Sequence, residues 1–192
     1  MPELRDLLIE ELRDLLHAEN QLVKALPKMS KAAHSPKLRE GFNKHLEQTQ
    51  GHVARLNEVF ELLGEKPKAK PCKAMAGLIE EGQEVITEGK EKNENIADLA
   101  LIAAAQKVEH YEISGYGTAR TIARLLREKE ASRLLSQTLG EEEATDYLLS
   151  EFAKPLMQEV AGEEIGDLEE LEIDDSDEEE EEEEDSLVEN KR

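Results

Sequence analysis

Residues 96–127, IADLALIAAAQKVEHYEISGYGTARTIARLLR, decide the fold. These 32 residues contain no proline and are rich in Ala, Leu and Ile, which predicts one helix of about 48 Å. Glu109 lies on its apolar face between Ile102 and Tyr116, and Glu112 follows one turn later on the same face. A helix that buries two carboxylates predicts a core in which other helices or metal ions partner them.

Four further segments repeat apolar residues at helical spacing, at residues 3–33, 36–63, 74–87 and 129–157. Short loops join the first long segment to the second and the third to the fourth, which makes each pair antiparallel. The long connection at residues 65–93 joins the two pairs and carries the short segment. This order predicts an all-α fold, an antiparallel four-helix bundle of ferritin-like topology with a short fifth helix in its crossover.

Charge divides the chain into a domain at residues 1–160 and an acidic tail at residues 161–192. Residues 163–192 carry 18 acidic and 2 basic side chains, a net of −16 out of −22, which leaves −6 for residues 1–162. So strong a run of like charge predicts disorder. The sequence leaves the role of the tail open between a solubilising segment, a collector of cations and a contact for basic partners.

Several functional classes do not fit the composition. An acidic body argues against nucleic acid binding. The longest apolar run, residues 96–105, is about half the length of a membrane span and contains Asp98. Cys72 is the one cysteine, so no intramolecular disulfide can form. With no signal peptide recognised at the N-terminus, we expect a cytoplasmic protein that binds neither nucleic acid nor membrane.

Each long helix places metal-capable side chains on its apolar stripe. Helix one offers an acid, helix two histidines and a threonine, and helices three and four offer acids one turn apart. Glu141 and Glu143 lie about 100° to either side of Glu142 on the helical wheel and are not selected. The predicted metal residues are Glu19, His45, Thr49, His52, Glu109, Glu112, Glu142 and Asp146.

Oxygen ligands with some imidazole favour iron or manganese, and di-iron carboxylate bundles are built from facing helices in this way. We therefore predict a di-metal site, di-iron first, with manganese or zinc as alternatives. Bridging is expected from an acid of helix one or two and from Glu109 or Glu112, and Glu142 and Asp146 are expected as terminal ligands. Whether His45 and His52 reach the site stays open, and His110 is expected to flank it.

Four segments also resemble the YciE/YciF ferroxidase-like family of bacterial stress proteins, over about residues 3–155. They are AENQLVKALPKM (18–29), HLEQTQGHVARL (45–56), KVEHYEISGYGTA (107–119) and QTLGEEEATDYLL (137–149). The resemblance implies a ferritin- or rubrerythrin-like bundle, a homodimer and a di-iron centre. The family's ligand positions match Glu19, His45 and Thr49, the acids of residues 109–112, and Glu142 with Asp146.

The function that follows is a ferroxidase of the stress response, in which dioxygen or peroxide oxidises Fe(II). The Glu-x-x-His motif of ferritins is absent from helices two and four, so this chemistry stays open. One alternative is a metal-free interaction bundle whose acids pair with Lys107 or Arg120. Another is a manganese or zinc site without redox turnover. The resemblance points to a small oligomer and so disfavours an iron-storage cage.

Overall fold

The computed structural model describes residues 1–162, and the predicted acidic tail lies, from residue 163 onward, outside this range. It consists of five helices, which confirms the all-α prediction: α1 (Pro2–Ala32), α2 (Pro36–Leu62), α3 (Lys73–Gly89), α4 (Glu94–Leu125) and α5 (Lys129–Ala161). Most predicted ends lie within two residues of these bounds. Helix α5 runs four residues beyond the predicted end at 157, because Pro155 lies inside it without ending it.

Local sequence explains where the helices begin. The Ser35 side chain accepts the N–H of the third residue of α2, and Pro36 opens that helix. Asn93 caps α4 by accepting two backbone N–H groups. Asp98, buried in α4, accepts the backbone N–H groups of His34 and Ser35 at 2.8 and 2.6 Å. This carboxylate therefore ties the start of α4 to the loop between α1 and α2.

The four long helices pack in a closed ring. Helix α1 packs on α2, α2 on α5, α5 on α4, and α4 on α1, while α3 covers the side formed by α1 and α4. The short α1–α2 and α4–α5 loops make each of these pairs antiparallel, as predicted. Within residues 1–162 no helix is both long and apolar enough to cross a membrane.

The core has an apolar part toward each end of the bundle. One part contains Leu12 and Phe60, and the other contains Leu26 and Phe42. Each long helix contributes to both parts, and the buried acids and histidines other than Asp98 lie where the two parts meet. The folded chain therefore holds a polar layer between two apolar ones, in which charged groups are almost entirely buried.

Candidate metal centre

Six buried side chains from all four long helices meet in the polar layer: Glu19 (α1), His45 and His52 (α2), Glu109 and Glu112 (α4), and Glu142 (α5). They form two groups, and the ligand atoms within each lie within 4.8 Å of one another. The outer group is His45, Glu109, Glu112 and Glu142, and the inner group is Glu19, His52 and Glu142. Glu142, expected as a terminal ligand, is thus the carboxylate that the two groups share. We call these six residues the Glu–His cluster.

His52 is held between the cluster and a charged pair outside it. Its Nε2 lies 2.8 Å from Glu141, whose carboxylate also accepts two hydrogen bonds of 2.8 Å from Arg55. Because ionised Glu141 can only accept, Nε2 carries the proton of this contact. Nδ1 therefore faces the cluster, 2.9 Å from Glu142 and 3.3 Å from Glu19. A carboxylate that fixes the tautomer of a histidine in this way is typical of metal-binding imidazoles.

His45 is oriented by Thr145 on the facing helix. The Thr145 hydroxyl donates to the Glu141 carbonyl at 3.0 Å and lies 3.3 Å from His45 Nδ1. A hydroxyl has one hydrogen, so toward His45 it acts as the acceptor and Nδ1 as the donor. His45 Nε2 then points into the cluster, 3.3 Å from Glu109 and 3.9 Å from Glu142.

Proximity of opposite charges shifts the titration of both imidazoles. Burial alone would lower the pKa of His45, but Glu109 and then Glu142 raise it to about 9. Burial would likewise lower the pKa of His52, and Glu142 and Glu19 raise it to about 10. Without metal, both rings are therefore imidazolium at neutral pH and partly balance the carboxylates.

The surroundings of the carboxylates disfavour their charged form, whereas those of the histidines favour it. Burial, followed by the charges of Glu19 and Glu142, raises the pKa of Glu112 well above its usual value. Burial also raises the pKa of Glu19 and of Glu142, although His52 opposes the shift in both. Burial is the main physical cause, repulsion among the acids adds to it, and a cation between them would favour their charged form against both.

Buried atoms without hydrogen-bond partners are concentrated here. Nine such side-chain atoms occur in the described residues, and eight of them belong to the cluster. They include both oxygens of Glu112 and of Glu142, together with His45 Nε2 and His52 Nδ1. The close approaches of His52 Nδ1 to two carboxylates lack the alignment of hydrogen bonds. Buried polar atoms are rarely left so, and hard oxygen and imidazole donors aimed at one space fit a metal ion.

Two of the eight predicted residues lie outside the cluster. Thr49 is buried, but its hydroxyl donates to the His45 carbonyl at 2.8 Å, one turn back on its own helix. The Asp146 carboxylate accepts from Gln106 at 3.1 Å and lies 3.4 Å from the exposed His110. Both side chains are engaged away from the ligand groups, and His110, expected to flank the site, is exposed and pairs with Asp146.

Sequence reasoning missed four residues that support the cluster, of which Thr145 orients His45 as described above. Glu141 and Arg55 hold His52, as described above, and the Tyr116 hydroxyl donates to Glu19. Glu141 is lateral on the helical wheel, so the apolar stripe of its helix does not select it. The sequence could have indicated an acid near His52 through Arg55, which follows His52 by three residues and therefore lies beside it on α2. The Tyr116 ring lies fully buried, and nothing in the sequence distinguishes its hydroxyl from that of a tyrosine that only packs.

Comparison with known proteins agrees with the predicted resemblance. A family model described as a domain of unknown function (DUF892) matches residues 3–162. Protein YciF of Escherichia coli is 49% identical over 154 residues, which is 80% of this chain and 92% of that protein.

Two solved structures have the same fold. The crystal structure titled as the stress protein YciF of Escherichia coli has a TM-score of 0.78 at 46% identity and covers 82% of this chain and 99% of its own. A protein of Rhodopseudomonas palustris has a TM-score of 0.73 at 43% identity and covers 77% of this chain and 92% of its own. The resemblance to the YciE/YciF family is thereby confirmed.

Proposed function

The chain belongs to the DUF892 family, and from that membership and the Glu–His cluster we propose that it is a ferritin-like stress protein that binds a pair of metal ions, iron first. The observation that carries the proposal is the set of eight buried, unpartnered donor atoms in two overlapping ligand groups. The stress role rests on the description of the Escherichia coli relative as a stress protein. The ferritin-like label rests on four long helices and one long crossover.

Charge supports two ions rather than one. The four glutamates of the cluster carry −4 when ionised, which equals the charge of two divalent cations. Binding would also replace the two imidazolium protons, because a metal ligand must be neutral imidazole. With one divalent ion, the imidazolium left in the other group would balance one of the two remaining negative charges, and the last one would stay buried without compensation, at a cost of several kcal/mol.

The donor set narrows the identity of the metal. Carboxylate oxygens with two imidazoles and no thiolate suit iron and manganese, and zinc less well. Bound iron would supply reversible one-electron chemistry, so that Fe(II) as substrate is oxidised to Fe(III) while dioxygen or peroxide takes the electrons. The two ligand groups would hold the ions. Glu141 and Arg55 would keep the His52 proton on Nε2, and the two apolar parts of the core would keep water from the inner ligand group.

One observation favours a second candidate, a metal-free bundle that acts by binding other proteins. The cluster is partly balanced internally, because His52 Nδ1 lies 2.9 Å from Glu142. The pairing expected with Lys107 is not observed, since Lys107 is exposed and pairs with Glu81 at 3.3 Å. Imidazolium thus takes the place of lysine or arginine in this candidate.

An anaerobic Fe(II) titration followed by air separates the two candidates. Glu19→Ala and Glu142→Ala remove one acid of the inner group and the shared acid, and Glu143→Ala, at an exposed neighbour, is the matched control. We expect two irons per chain and an absorbance of oxidised iron in the wild type and in Glu143→Ala, and loss of both in the other variants. Absence of stoichiometric binding in the wild type would reject the di-iron proposal.

The homodimer implied by the family resemblance is also proposed here. Analytical ultracentrifugation of the full chain tests it, with a single species of one chain's mass as the contrary result. The large apolar side chains exposed at Leu7, Leu62 and Leu125 are available to such a contact.

A further inference from the structure

A cleft of about 300 Å³ opens between α2 and α5 and ends at the Glu–His cluster. We call it the α2–α5 cleft. Lys37 and Lys44 stand at its mouth, Leu148 and Phe152 form its wall, and His45 and Glu109 line its inner end. Its volume is that of several water molecules. The cleft therefore connects the outer ligand group to solvent.

Burial within the cluster points to the same edge. His45 and Glu109 keep 3% and 2% of their surface exposed, whereas Glu19, His52 and Glu112 keep none. His45 Nε2 and Glu109 Oε2 are also among the unpartnered atoms. Three other clefts formed by described residues include no cluster residue in their linings. The inner ligand group thus lies behind the outer one when seen from the α2–α5 cleft.

We infer that the α2–α5 cleft is the route by which a small ligand of the oxidant class, dioxygen or hydrogen peroxide, reaches metal held at the His45–Glu109 edge. The inference rests on the proposed metal binding and adds its access path. The apolar wall suits dioxygen, and the polar side chains of Gln48 and Thr145, which also line the cleft, offer hydrogen bonds to hydrogen peroxide. A ligand that enters here meets the outer ion first, which makes the two ions of the pair inequivalent.

The mouth gives the route a charge preference. Lys37 and Lys44 are accompanied in the lining by one exposed acid, Glu40. Their net positive charge raises the local concentration of anions and lowers that of free cations, an effect that salt screens. A small anion such as azide is therefore a suitable probe of the route.

The test uses Co(II)-loaded full-length protein and measures azide association by stopped-flow absorbance. Leu148→Trp and Phe152→Trp add bulk to the wall. Tyr147→Trp is the control, because Tyr147 is 63% exposed next to Leu148 and does not line the cleft. Leu148→Ala opens the wall and guards against misfolding of the bulkier variants. Metal stoichiometry is measured in every sample, so that binding and access are read separately.

We expect association to slow about ten-fold or more in both tryptophan variants of the wall, to quicken in Leu148→Ala, and to stay unchanged in Tyr147→Trp, all at unchanged Co(II) stoichiometry. Joint replacement of Lys37 and Lys44 by Gln should slow azide about two- to five-fold at low salt and have no effect at high salt. Unchanged rates in the wall variants, or no azide binding to the Co(II) protein, would overturn the route. Failure of the wild type to bind either Co(II) or Fe(II) would instead overturn the proposed function on which the route rests.

Discussion

Replacing Glu141 by Gln should weaken metal binding although Glu141 is not a ligand. The wild-type carboxylate accepts from His52 Nε2 at 2.8 Å and accepts two hydrogen bonds from Arg55 at 2.8 Å. Glutamine keeps the shape but turns one acceptor oxygen into an NH₂ donor. Either His52 Nε2–H or the Arg55 guanidinium then faces the new NH₂ group, and two donors cannot form a hydrogen bond. His52 also loses the negative charge that holds its proton on Nε2.

The size of the effect follows from the site of the change. Loss of an outer carboxylate that orients a metal-binding histidine typically lowers affinity about 10–100-fold. The Glu141 side chain is 25% exposed, so water can replace part of what is lost, and we expect the lower half of that range. A ten- to thirty-fold loss corresponds to about 1.4–2 kcal/mol of binding free energy. The stoichiometry should not change, because all six cluster residues remain.

Competition with a chromophoric chelator for Co(II) measures this affinity without oxidation. Glu143→Gln makes the same chemical change at an exposed position two residues away and should bind as the wild type does. Thermal unfolding followed by circular dichroism verifies that both variants fold. Equal affinities in Glu141→Gln and Glu143→Gln would refute the role of the Arg55–Glu141–His52 chain.

Three further predictions concern protons, metal and Tyr116. The pKa values of His45 and His52 are raised to about 9 and about 10, so both rings are protonated at pH 7 without metal. Metal binding should therefore release about two protons, and the metal affinity should fall up to about 100-fold for each unit by which the pH is lowered. Calorimetry in buffers of different ionisation enthalpy measures the release, and no release would contradict the prediction. Metal at 100 times its Kd should add about 2.7 kcal/mol to the free energy of unfolding, which corresponds to a Tm rise of about 5–11 °C. Thermal scans that coincide with and without metal would contradict this. Tyr116→Phe removes the hydroxyl that donates to Glu19 and should cost the metal-free protein about 1–3 kcal/mol in urea unfolding, whereas a change below 0.5 kcal/mol, on the order of a neutral surface substitution, would assign Tyr116 to packing alone.

The burial of the four glutamates, which depends on one helix at a time, was predicted well. Glu19, Glu109, Glu112 and Glu142 each interrupt an apolar stripe, and all four are buried. A stripe records which face of a helix turns inward, whatever that face packs against. The family resemblance and the all-α fold are also confirmed, and both could be predicted because the evidence for them lies in local sequence.

Residues whose role depends on the register between helices were not predicted. Asp146 lies one turn from Glu142, but at its level α4 presents Gln106, which takes the Asp146 carboxylate as its hydrogen-bond acceptor. Glu141 is lateral on its own helix, yet its side chain reaches His52 and Arg55 on α2. A helical wheel carries no information about the partner helix or the length of a side chain. That Glu142 belongs to both ligand groups could not be predicted for the same reason, because it depends on how α5 packs against the other helices.

The position of the cluster is itself an argument for a ligand. Four carboxylates and two histidines fill a layer between two apolar parts of the core, and eight of their atoms lack partners there. Leaving a buried polar group unsatisfied costs about 1–3 kcal/mol, and more if it is charged, against a total stability of about 5–15 kcal/mol for a domain. A Leu or Met at any of these positions would extend the apolar core on either side without that cost. A sequence that keeps all six groups therefore needs something that offsets their burial, and a pair of cations would do so while displacing the protons from His45 and His52.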